Sequence, residues 1–162
     1  MTNISKFEYL KKEFKKIDNL FRLNKFLSVI EKSKKILKKY PEQTPFYNLI
    51  GISYKKIGKF LLAEEILKNG LKIKPNDENL LINLGSTYRG MIQYKKSEKY
   101  LKQALKINEN NINALINYAN LKRDMNEIYE ATKLYEKAQA LGVKGTIINI
   151  NLAGIYQIDG DF

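Results

Sequence analysis

Side chains of the same kind recur every 34 residues along most of this 162-residue chain. Pro41 and Pro75 form one such column, and Gly51, Gly85, Ala119 and Ala153 form another. Tyr54, Tyr88 and Tyr156 align with Lys122 interrupting them, and large residues align through Ile50, Leu84, Tyr118 and Leu152. Further columns are Ala63, Ser97 and Ala131, then Leu67, Leu101 and Tyr135, then Gly70, Ala104 and Ala138. A fixed period of this length means one supersecondary unit repeated, each unit too small to bury its own apolar face and therefore stacked on its neighbours. Small residues recur where two helix backbones approach closely, and large ones where a knob fills the gap.

Within a unit the apolar spacing is helical. Thr44 followed by Pro45 is an N-cap and first-turn signal, and Tyr47, Ile50, Gly51 and Tyr54 lie on one helical face. Gly58 breaks that run, and a second one through Phe60, Ala63, Leu67 and Leu71 ends at Pro75, which cannot continue a helix. The pattern predicts helices over 45–57 and 60–73, 79–91 and 94–107, 112–125 and 128–141, with 147–159 as a lone first helix. Ahead of them, Ile4, Phe7, Leu10, Phe14, Ile17 and Phe21 give one long amphipathic helix, and residues 25–39 a second. The expected fold is all-α, a solenoid of antiparallel helix pairs forming a single domain over 1–162. Its parts are a degenerate pair (1–43), three full repeats (44–77, 78–111, 112–145) and the first helix of a truncated one (146–162). The last segment is apolar where a terminal repeat carries a polar outer face, so we expect the natural polypeptide to continue.

Histidine, cysteine and tryptophan are absent, which removes thiolate nucleophiles, imidazole bases, disulfides and the usual zinc, copper and iron ligand sets. No phosphate-binding loop or dinucleotide fingerprint occurs, and paired carboxylates such as Glu64 with Glu65, or Asp159 with Asp161, sit on outward helix positions or beside glycine. We therefore expect no catalytic constellation, no metal and no cofactor. No run is apolar enough for a membrane span, and Met1 to Leu10 lack the apolar stretch of a signal peptide, so the expected location is cytoplasmic.

The segment YNLIGISYKKIGKFLLAEEILKNGLKIKP, with its Gly51, Tyr54, Gly58, Ala63 and Pro75, resembles the tetratricopeptide repeat family nearly throughout. Departures are Ile92 and Asn126 in place of the turn glycine, Glu109 and Val143 in place of proline, and Lys122 in place of tyrosine. They put turn geometry and the packing of the third full unit in question. The resemblance implies a right-handed superhelix whose first helices line a concave groove. The Lys- and Asn-rich repeats are also similar to those preceding bacterial glycosyltransferase or sulfotransferase domains, and to the repeat arm of O-GlcNAc transferases.

Three columns then fall in the implied groove: Asn83, Asn117 and Asn151, with Asn48 one place off; Ile82, Ile116 and Ile150; and Lys55, Arg89 and Arg123. A primary amide offers a donor and an acceptor and can pair with the backbone of an extended peptide. Helices pack roughly 8–10 Å apart and an extended chain rises about 3.3 Å per residue, so one rung meets every third ligand residue. The asparagines are equally explained by helix packing in an Asn-rich chain, and both readings stand. The basic column favours an acidic or phosphorylated peptide, although cations at a helix C-terminus are also favoured by the dipole. The isoleucines are shared between groove and inter-helix packing, with core the favoured role. At the five positions of the chaperone-tail clamp of some tetratricopeptide domains the chain carries Asn48, Ile52, Asn83, Asn113 and Asn117, a single match, so chaperone-tail binding is not expected.

The net charge of +12 is concentrated at one end, +7 over residues 1–43 against −2 over 146–162, and lysine outnumbers arginine 26 to 3. The doublets Lys11, Lys12, Lys15, Lys16 and Lys34, Lys35, Lys38, Lys39 read as solvated helix faces. The expected function is a protein interaction module holding an extended peptide or partner helix. The alternative is the substrate-recognition arm of a larger glycosyltransferase or sulfotransferase, and the least favoured reading is polyanion binding by the basic N-terminal helices.

Overall fold

The computed structural model describes residues 3–142, and over that range the chain forms eight helices. They are α1 (Asn3–Arg22), α2 (Phe26–Lys39), α3 (Thr44–Lys56), α4 (Phe60–Ile73), α5 (Glu78–Gly90), α6 (Tyr94–Ile107), α7 (Ile112–Asp124) and α8 (Ile128–Ala140). Each packs on the next in chain order, and α1, α3, α5 and α7 also touch one another in sequence. The even-numbered helices make no comparable contacts among themselves, so the odd-numbered helices form the inner, tighter layer of the curve. Expectations for residues 143–162, including Asn151, Ile150 and the helix over 147–159, lie outside the described residues.

The turn inside each pair is one structure repeated four times. Asn24, Gly58, Ile92 and Asn126 all have positive φ, at 57°, 75°, 59° and 62°. In every case the next residue's N–H reaches back five residues: Lys25 to Leu20, Lys59 to Tyr54, Gln93 to Tyr88 and Glu127 to Lys122, at 2.8–2.9 Å. The positive-φ residue itself donates to the carbonyl three before it, completing a Schellman cap. Ile92 and Asn126 therefore adopt the glycine geometry rather than altering it. Asparagine tolerates that conformation, whereas a β-branched isoleucine is strained there.

Between pairs, the helix starts are tied together. Asp77 caps α5 by accepting from Leu80 N–H at 3.2 Å, and Asn111 caps α7 by accepting from Ala114 N–H at 3.0 Å. Thr44, expected as an N-cap, is instead the first residue of α3, and its hydroxyl donates to Asp77 at 3.2 Å. Asn111 donates to Glu78 at the start of α5 at 2.5 Å.

The small-residue column sits where helices of one pair cross. A Cβ on Gly51 would lie 2.5 Å from the Leu67 side chain, and one on Gly85 would lie 2.7 Å from Leu101 Cγ. At the third crossing the facing pair is Ala119 and Tyr135, both fully buried. Lys122 occupies the tyrosine column and is buried with its ammonium on Glu98 at 3.2 Å and on Glu127. Tyr88, one repeat earlier, sends its hydroxyl to Glu64 at 2.7 Å, the residue equivalent to Glu98. Glu64 is thus half-buried and bonded, not an outward solvated carboxylate.

The N-terminal helix departs from its pattern. Leu10 and Ile17 are buried, but Phe7 is 64% exposed and Phe14 37% exposed, because α1 lies against only α2 and part of α3.

Candidate functional site

The inner layer brings the sequence-expected residues onto neighbouring odd-numbered helices. Asn48 on α3 and Asn83 on α5 meet: the Asn83 amide donates to Asn48 Oδ1 at 2.7 Å. Asn117 on α7 turns back on its own helix, donating to the Asn113 carbonyl at 2.8 Å. Neither bond uses the acceptor oxygen of Asn83 or of Asn117, and both residues are half-buried. Ile82 is 4% exposed and Ile116 half-buried, as the core reading of that column requires.

Lys55, Arg89 and Arg123 lie in the last turns of α3, α5 and α7, where the helix dipole favours cations. The Lys55 ammonium donates to Ser86 Oγ at 2.8 Å. Arg89 pairs with Asp124 at 3.1 Å, and Arg123 Nη2 lies 3.7 Å from the same carboxylate. Arg89 Nε is buried with no hydrogen-bond partner among the described residues. Burial, followed by the positive charges of Arg89 and Lys56, pushes the Lys55 amine down to about 8. A cavity of about 330 Å³ opens here, lined by Lys55, Phe60, Ser86, Arg89, Gly90 and Asp124. Ser86, Phe60 and Asp124 are not singled out by the sequence, since the bonds that bring in Ser86 and Asp124 span 31 and 35 residues, off the 34-residue columns.

A second cavity, about 460 Å³ and largely apolar, lies between α1 and the start of α3, where Phe7, Leu10, Phe14, Pro45 and Phe46 line it. The N-terminal lysines at 11, 12, 15, 16, 34, 35, 38 and 39 are all exposed. Several have local partners: Lys16 with Glu13 at 2.6 Å, Lys35 with Glu31 at 2.7 Å, and Lys34 over the Tyr54 ring at 5.4 Å. Among the described residues no helix is long and apolar enough to cross a membrane, and no group of three or more acidic side chains could hold a metal ion.

The tetratricopeptide repeat model matches residues 44–77 and 79–111 of this stack. A thermophilic tetratricopeptide repeat protein of Thermus thermophilus superposes with a TM-score of 0.81 at 20% identity, covering 90% of this chain and 80% of that one. Pseudomonas aeruginosa pilF superposes at 0.84 and 13% identity, covering 96% and 71%. The first tetratricopeptide domain of Spaghetti (RPAP3), solved with the HSP90 peptide SRMEEVD, superposes at 0.67 and 21% identity, covering 74% and 94%. No curated protein matches the sequence. The chain has the tetratricopeptide-type helical solenoid fold, an architecture whose repeats generally mediate protein–protein interaction.

Proposed function

We propose that this chain, read as one solenoid over 1–162, is a protein-binding module that holds an extended acidic peptide across the inner layer formed by α3, α5 and α7. The observation that carries this is the alignment of Lys55, Arg89 and Arg123 at one end of three touching helices, with Asp124 the carboxylate paired to them among the described residues. A cationic strip of this kind selects ligands by charge and accelerates their capture. Asn48, Asn83 and Asn117 then offer amides to the ligand backbone, with the Asn48–Asn83 pair opening or contributing its free oxygen. The relative that takes SRMEEVD takes an acidic peptide, which agrees in charge; the poor match at the clamp positions argues for a different register, not for that tail.

The alternative role, presenting protein substrates to a glycosyltransferase or sulfotransferase domain in a longer polypeptide, would use the same face. Its support is the sequence resemblance alone.

Titration of the protein with an array of acidic and charge-neutral extended peptides, at low and high salt, tests the proposal. Acidic peptides should bind more tightly and lose affinity as salt rises. Asn117→Ala should weaken binding with stability nearly unchanged, whereas Leu84→Ala should cost about 2–5 kcal/mol of stability. Equal binding of acidic and neutral peptides would refute the charge reading. An Asn117→Ala variant as unstable as Leu84→Ala would make that amide structural.

A further inference from the structure

Among the half-buried and buried lysines, Lys55 stands alone in its surroundings. Lys122 has two carboxylates, Glu98 and Glu127, whereas the Lys55 ammonium has none within ion-pair distance among the described residues and rests on a serine hydroxyl. Ser86 accepts that bond at 2.8 Å, which leaves its own O–H to be donated. Beside them Arg89 is committed on one side only: Nη1 serves Asp124, while Nε is buried and unpartnered. An orphaned buried donor in a polar cavity carries a desolvation cost that an arriving acceptor removes.

Lys55, Ser86 and Arg89 line one opening. Phe60 at the start of α4 forms its apolar wall and approaches so closely that a Cβ on Gly90 would lie 2.6 Å from the ring. We infer that this cavity is a seat for one carboxylate group, received by Lys55 Nζ, Ser86 Oγ and Arg89 Nε. The inference rests on the peptide-binding reading above and names where such a peptide is anchored. Lys55, Arg89 and Arg123 stand against Asp124 here, an excess of positive charge that an arriving carboxylate offsets. Once the anion is seated, the Lys55 amine is held protonated against the burial and the neighbouring charges of Arg89 and Lys56 that now depress it.

Nuclear magnetic resonance of lysine-labelled protein, with the Lys55 side-chain signal assigned by its loss in Lys55→Met, reads this out. The probes are acetate, inorganic phosphate and chloride at matched ionic strength. In chloride, Lys55 should titrate near pH 8; acetate should move that midpoint upward, and phosphate should do so no more effectively. Arg89→Lys, which keeps the charge but loses Nε, and Ser86→Ala should each weaken acetate binding by up to about tenfold. An unmoved Lys55 midpoint in acetate, or a larger shift in phosphate, overturns the carboxylate seat. A response to acetate in a protein that shows no preference for acidic peptides would keep the seat and refute the peptide reading. Acidic peptides that bind Lys55→Met as well as the parent would do the reverse.

Discussion

Ile92 is the residue whose replacement tests the fold argument most directly. It occupies the position after the C-cap of α5 at φ 59°, where its counterparts are Asn24, Gly58 and Asn126. A left-handed conformation costs an L-residue roughly 1–2 kcal/mol, and a β-branched side chain has no local hydrogen bond with which to offset it. Its side chain is 73% exposed, so little burial is lost on truncation. Glycine removes the strain but returns about 0.5–1 kcal/mol through its greater freedom in the unfolded chain. Ile92→Gly should therefore stabilise by about 0.5–1 kcal/mol. Ile92→Asn, which avoids the glycine entropy, should gain about 1 kcal/mol, and Gly58→Ile should lose a similar amount. For a chain of this size about 1 kcal/mol corresponds to a midpoint shift of roughly 2–4 °C, within reach of thermal and urea unfolding followed by circular dichroism. If Ile92→Gly and Ile92→Asn both melt below the parent, the strain argument is wrong and the isoleucine contributes contacts its exposure conceals.

Two further perturbations probe the crossings and the buried charges. Gly85→Ala places a Cβ 2.7 Å from Leu101 Cγ and 3.3 Å from the Ser97 carbonyl, and should cost about 1–3 kcal/mol despite alanine's better helix propensity; combined with Leu101→Tyr, which copies the Ala119–Tyr135 crossing, the loss in thermal stability should be less than additive. Glu98 is held down to about 2 by bonds from Lys102, Tyr118 and Lys122, below its unfolded value, so its contribution is present above the unfolded value of about 4.5 and is lost as pH falls toward 2. Glu98→Gln should cost about 1–2 kcal/mol at pH 7, and the gap from the parent should close over that acid window in denaturant melts. A gap independent of pH would remove the charge from the explanation.

The helices are legible because a fixed period gives the same answer several times over. The six predicted for the regular repeats coincide with the observed ones at six ends and differ by one residue at the other six, as 79–91 does from Glu78–Gly90. The helix over 128–141 likewise appears as Ile128–Ala140. The turns at Ile92 and Asn126 are less legible, because residue preference alone omits the backbone bonds that impose positive φ. Phe7 and Phe14 mislead for a different reason. Periodicity assigns an apolar face to a helix but does not say whether a neighbour covers it, and among the described residues α1 packs on α2 and part of α3 alone. In the candidate site, the columns locate Lys55, Arg89 and the asparagines, yet not their partners. Asn83 bonds Asn48 at a separation of 35, Arg89 bonds Asp124 at 35, and Lys55 bonds Ser86 at 31. Columns compare equivalent positions, whereas side chains on adjacent helices reach across to inequivalent ones.

That distinction also separates what the stack requires from what it leaves open for binding. At Tyr88 and its counterpart Lys122 the repeat calls for a polar tip that reaches a carboxylate one helix away, whereas at Tyr54 the equivalent partner position is Ile30. The Tyr88 hydroxyl meets it on Glu64 and the Lys122 ammonium meets it on Glu98, so two different chemistries satisfy one geometry. Those polar atoms are consumed by the fold. At the inner basic column the reverse holds: Lys55 and Arg89 have equivalent places but inequivalent partners, one a serine and the other an aspartate, and an Arg89 donor is left over. A polar group whose partner is dictated by the repeat serves packing, and one whose partner changes from repeat to repeat while donors stay unmet is available to a ligand. By that criterion our proposal places binding at the cavity of Lys55 and Arg89 rather than at the Asn48–Asn83 pair, which already satisfies itself in part.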